Sequence, residues 1–138
     1  MGFKRWRLIG DEPKWCRWGT VLTVYWLFMF TATHIPLPAH GLPRHSDKTA
    51  HVCGYAVLAV LFTFWRCWHR AAWDWRSGLG CLATLMVYAV LDEALQYPVG
   101  RTPDVMDAVA DCLGAVLGIG LGGLVCYNRL ARSPDHRG

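Results

Sequence analysis

Residues 77–127 read SGLGCLATLMVYAVLDEALQYPVGRTPDVMDAVADCLGAVLGIGLGGLVCY, and the pattern of this stretch decides the fold. Two apolar runs, about Ser77 to Tyr97 and just after Pro103 to about Tyr127, flank a short link. Each is close to the ~20 residues an α-helix needs to cross a bilayer core. Lipid cannot hydrogen-bond a backbone, so such spans are helical, and the short link makes them antiparallel neighbours. Charges interrupt the runs only beside the link. Asp92, Glu93 and Gln96 close the first, and Asp104, Asp107 and Asp111 open the second, with Arg101 between them. A charge inside a span costs ~2.5–3.5 kcal/mol on insertion scales, so such residues are usually retained for a function.

Working outward, an earlier run from about Lys48 to Cys67 opens with Asp47, Lys48, His51 and Tyr55, and Ser46 before it is a plausible helix cap. The first run, about Trp18 to Thr33, is rich in aromatics and ends before Pro36 and Pro38. It has no small-residue cleavage site and reads as an uncleaved first span. The chain is 54% hydrophobic and 17% charged, which suits an integral membrane protein. The expected architecture is an all-α, four-helix membrane bundle with short loops over residues 18–127. Residues 1–17 form a basic cytoplasmic segment and residues 128–138 a basic cytoplasmic tail.

Orientation follows from the cations. Lys4, Arg5, Arg7, Lys14 and Arg17 precede the first span, Arg66, Arg70 and Arg76 follow the second, and Arg129, Arg132 and Arg137 follow the fourth. Only Arg44, Lys48 and Arg101 fall on the other side, so the positive-inside rule puts both termini in the cytoplasm. Every tryptophan except Trp26 also lies near the basic side, as an interfacial belt would. The net charge of +4 does not point to nucleic acid, because the basic residues flank apolar runs instead of forming a stripe. The six cysteines show no ligand spacing and read as buried free thiols.

This topology gathers the polar residues. The start of the second span, the end of the third and the start of the fourth share the non-cytoplasmic face. Lys48, His51 and Tyr55 follow i, i+3, i+7, as do Asp104, Asp107 and Asp111, while Asp92 and Gln96 are i, i+4. Three polar stripes facing lipid would be very costly, so they are expected to face one another around a partly hydrated pocket. The fourth span also carries Ala110, Gly114, Gly118 and Gly122, a small-residue row that favours close helix packing.

These residues resemble the VanZ-like family of small membrane proteins. The matching pieces are Ser46 to His51 with Tyr55, Asp92 to Gln96, Pro98 to Arg101, and Asp104 to Asp107 running on to Asp111, Gly114 and Gly118. Ile35-Pro36 and Gly41-Leu42-Pro43 also look like the family's first loop, so the likeness covers roughly residues 30–125. The chain departs from the pattern in three places. Val99 is inserted between Pro98 and Gly100, Asp111 stands where asparagine is common, and Asp92 adds a carboxylate beside Glu93. The resemblance implies a bacterial plasma-membrane protein with a link to teicoplanin, a lipid-bearing glycopeptide, but it brings no settled reaction.

Three uses of the polar layer stand open. In an enzyme acting on a lipid-linked envelope substrate, His51 would be the acid or base. Asp92 or Glu93 would orient it or carry the proton, and Lys48 and Arg101 would hold a phosphate. A metal-dependent version would use His51 with Glu93, Asp107 or Asp111, but no close ligand motif supports it and no cofactor is expected. In a binding protein, Asp47, Lys48, Tyr55, Gln96, Arg101, Asp104, Asp107 and Asp111 would recognise the headgroup of a membrane lipid or lipoglycopeptide. In a structural network the same residues would hold four helices in register. His34, His40 and His45 read as loop residues, and the sequence fixes no oligomeric state.

Overall fold

The computed structural model describes residues 14–35, 44–100 and 104–132. Four helices run α1 (Lys14–His34), α2 (Arg44–Arg70), α3 (Trp75–Gln96) and α4 (Val105–Ala131), with one 3₁₀ turn at Tyr97–Val99 after α3. There is no strand among the described residues. α2 begins earlier than expected, at Arg44. Ser46 therefore lies inside the first turn of α2 and is not its cap.

The expected boundaries elsewhere have clear local causes. Asp74 caps α3, its carboxylate accepting from the Ser77 N–H at 2.8 Å. Hydrogen bonds from the Ser77 hydroxyl and backbone hold this carboxyl below the ordinary carboxylate range. Asp104 caps α4 by accepting from the Met106 N–H at 2.8 Å. Between them Gly100 adopts φ 79°, a left-handed conformation that glycine takes without steric cost. Its N–H donates to the Tyr97 carbonyl at 3.2 Å, so Pro98-Val99-Gly100 makes a tight reversal.

The helices alternate in direction. Trp15 and Trp18 at the start of α1 meet His69 and Phe64 near the end of α2, so these two are antiparallel along their length. Along α4, residues 104, 107 and 111 meet residues 48 and 51 of α2, and Gly114, Gly118 and Gly122 follow against Val52, Ala56 and Thr63. α2 and α4 are therefore parallel and in register. Their approach depends on the glycines, because a Cβ on Gly114 or Gly118 would strike the carbonyl oxygen of Val52 or Ala56. The row thus seats on α2.

The apolar core is small, with Leu22, Leu58, Ala59, Leu85 and Ala115 in one cluster and Met29, Tyr55 and Ala89 in another. Outside it, Val24, Leu27, Val87, Val90, Leu117 and Leu121 are all more than half exposed. An apolar exterior of this extent is suited to lipid. Asp47–Arg70, Trp75–Val99 and Val105–Ala131 are long and apolar enough to cross a membrane. α1 has 21 residues but is not among the helices apolar enough by that measure. Its tryptophans and tyrosine dilute its hydropathy, although it lies alongside α2.

Candidate functional site

At the end where α2 and α4 begin, two parallel stripes zip together. The Lys48 ammonium reaches Asp107 Oδ1 at 2.7 Å and Asp104 Oδ2 at 3.0 Å. One turn deeper, His51 Nδ1 lies 2.9 Å from Asp111 Oδ1, and its Nε2 lies 3.9 Å from Asp107 Oδ2. The i, i+3 spacing of Lys48 and His51 on α2 is matched by Asp104, Asp107 and Asp111 on α4. The parallel pair, held close by glycine, superposes the two stripes. Asp47 adjoins this group, since its carboxylate, Asp107 and His51 bring donor atoms within 4.8 Å of one another.

α3 enters from the opposite direction with its last turn. Glu93 Oε1 accepts from the Gln96 amide at 3.1 Å, and Oε2 accepts from the Asp104 backbone N–H at 3.0 Å. Glu93 thereby ties the end of α3 to the start of α4 across the link. Asp92 turns instead toward α1, where Thr33 donates to Oδ1 at 3.2 Å and His34 Nδ1 lies 3.8 Å away. His51, Glu93 and Asp111 form a second group with donor atoms within 4.8 Å. Either group of three has the nitrogen and oxygen donors a divalent cation accepts.

The cluster is packed more tightly than the expected open pocket. Tyr55 and Asp111 are fully buried and Asp92 is 1% exposed, whereas Lys48 and Asp104 reach the rim. Tyr55 stacks on Tyr88 with ring centroids 5.9 Å apart. Six buried polar atoms, among them the Tyr55 hydroxyl, Asp92 Oδ2 and Asp111 Oδ2, have no hydrogen-bond partner among the described residues. A buried polar atom without a partner costs ~1–3 kcal/mol.

The three stripes thus meet, but not as one ring. His51, Lys48, Asp104, Asp107 and Asp111 form the α2–α4 face, Glu93 and Gln96 join it from α3, and Asp92 points to α1. Arg101 lies outside the described residues, as do His40 and the side chain of His45. His34 is not a loop residue: it ends α1, donor-paired through Nδ1 with the Phe30 carbonyl at 2.8 Å and stacked on the Phe30 ring. The sequence reading missed Thr33 and His34 as members of the layer. Their signal was the polar pair ending the first apolar run at the depth where the other spans carry carboxylates.

An apolar exterior around four alternating helices, with buried carboxylates and a histidine at one end, defines a polytopic helical membrane protein with a polar intramembrane cluster. The family model described as VanZ/LLP1 matches residues 22–126, and the chain belongs to that family. The matched region begins within α1 and ends within α4, so it contains the whole cluster. No curated protein and no solved structure gives a significant match.

Proposed function

We propose that the protein binds the headgroup of an amphiphilic cell-envelope molecule at the non-cytoplasmic face and takes that headgroup through a positively charged group. The single observation that carries this reading is the charge balance of the cluster. Among described side chains, Asp47, Asp92, Glu93, Asp104, Asp107 and Asp111 are accompanied by one lysine, Lys48. Counting Arg44 and Arg101, whose side chains lie outside the described residues, still leaves carboxylates in excess. Asp47, Asp104 and Asp107, grouped around Lys48 toward the rim, are the part of this excess an arriving headgroup meets. A rim of that sign attracts a cation and repels a phosphate. Lys48 is also already engaged by Asp104 and Asp107, which weakens the expectation that it holds a phosphate.

The placement rests on topology. α1 lies beside α2 with its aromatic start at the opposite end of the bundle from the cluster. With α1 as a fourth span, both termini and the basic residues lie on the cytoplasmic side, and the cluster faces outward. The family's association with teicoplanin resistance suits a protein that meets an amphiphile there.

The test is teicoplanin susceptibility of a sensitive host expressing wild type, His51→Ala or Glu93→Gln, with membrane abundance measured alongside. Protection by wild type and partial protection by equally abundant variants supports binding. No protection by wild type removes the link to teicoplanin. Variants that fail only because they vanish from the membrane make the cluster a structural network.

One observation favours a second reading. The 2.9 Å contact between His51 Nδ1 and Asp111 is the arrangement by which a carboxylate orients an imidazole and leaves Nε2 for proton transfer. An enzyme built on that pair loses all activity in equally abundant His51→Ala, which separates it from a binding protein.

A further inference from the structure

A groove among the described residues lies at the far end of the bundle from the acidic cluster. It encloses about 510 Å³, within the usual range for small-molecule sites. α1 supplies one wall, the ends of α2 and α4 supply the others, and the buried thiols Cys67 and Cys126 form part of the floor. Its apolar lining includes Val21, Phe64, Val125 and Leu130. Among the described residues its charged lining is Lys14, Arg17 and Arg129, with no carboxylate.

Among the described residues none of the three makes an ion pair. Lys14 sits over the face of Trp68, its Nζ 4.9 Å from the ring centroid, which draws the ammonium toward the groove. Trp18 also lines the site, and tryptophan is the side chain favoured at headgroup depth. A cleft with an apolar length and a cationic, aromatic mouth matches a molecule with an anionic head and a hydrocarbon tail.

We propose that this groove is a binding site for one anionic phospholipid of the surrounding bilayer. Its phosphate is held by Arg17, Arg129 and Lys14, and one acyl chain lies against Val21, Phe64 and Val125. Arginine offers two parallel donors to a phosphate, so Arg17 and Arg129 are the principal contacts and Lys14 adds a point charge. The site is separate in place and in charge from the acidic cluster, and it does not depend on what that cluster binds.

The experiment is native mass spectrometry of the full-length protein extracted from bilayers that contain equal amounts of phosphatidylglycerol and phosphatidylcholine. Wild type is expected to retain one phosphatidylglycerol in preference to phosphatidylcholine. Each juxtamembrane cation contributes about fivefold to binding of an anionic lipid, so Arg17→Gln/Arg129→Gln lowers the preference about twenty-five-fold. The control Arg70→Gln/Arg76→Gln removes the same charge from exposed positions at the same end, outside the groove, and leaves the preference intact. Val21→Trp fills the groove without altering charge and abolishes retention while the melting temperature shows the variant folded. Equal retention of the two lipids by wild type overturns the proposal. So does an equal loss in the control, which would make the effect general surface attraction. If Val21→Trp does not fold, the two double variants decide alone.

Discussion

Replacing Gly118 with alanine tests the close parallel pairing of α2 and α4 on which the polar cluster depends. The added methyl would lie 2.7 Å from the Ala59 Cβ and closer still to the Ala56 carbonyl oxygen, whereas ordinary contact begins at 3.4 Å. The carbonyl belongs to a helix backbone and cannot turn aside, so the helices must part by roughly an ångström. A gap of ~0.5–1 Å forfeits a quarter to a half of each dispersion contact it opens. Overpacking of this kind costs about 1–3 kcal/mol. Gly120 provides the control, since a Cβ there meets nothing within 4 Å. Gly120→Ala should be neutral or gain about 0.5–1 kcal/mol from helix propensity. Adding Ala59→Gly to Gly118→Ala removes the side-chain clash and leaves the carbonyl clash, so it should restore only part of the loss. The assay is reversible unfolding in detergent micelles, with the four proteins compared under one condition. Equal stability of Gly118→Ala and Gly120→Ala would refute the close α2–α4 contact.

Further outcomes follow from individual contacts. Asp111→Ala leaves His51 Nδ1 without its buried partner and should cost about 1–3 kcal/mol, while Asp111→Asn keeps an acceptor and should retain most of the stability; thermal unfolding of both variants checks this. Lys48→Met should lower the melting temperature by stranding Asp104 and Asp107 beside each other, and Lys48→Met/Asp107→Asn should recover part of the loss in the same assay. The Asp74 cap gives a pH signature. Its carboxyl lies below the ordinary 3.8 in the folded protein, so its contribution is present above that pH and fades as pH falls through the folded value. Melting curves of wild type and Asp74→Ala should therefore differ at neutral pH and converge in acid.

Much of this protein was legible in its sequence, because a bilayer leaves a chain few choices. Twenty apolar residues without backbone partners must become a helix, and a six-residue link must return the chain beside itself. The i, i+3, i+7 spacing of Lys48, His51 and Tyr55 and of Asp104, Asp107 and Asp111 likewise fixed which side chains share a helix face. Helix phase says nothing about which faces meet, however. Tertiary structure decided that α2 and α4 pack face to face and in register, since this follows from how closely Gly114 and Gly118 let Val52 and Ala56 approach. It also decided that Lys48 is spent on Asp104 and Asp107, that Asp92 turns to Thr33 and His34 on α1, and that Glu93 grips the Asp104 backbone. These contacts join residues up to 60 positions apart. The sequence by itself determined the helices and the depth of their charges through local periodicity and the cost of burying charge. Only packing in three dimensions could choose the partner of each charge, because that choice depends on interhelical distance, which a linear pattern does not encode.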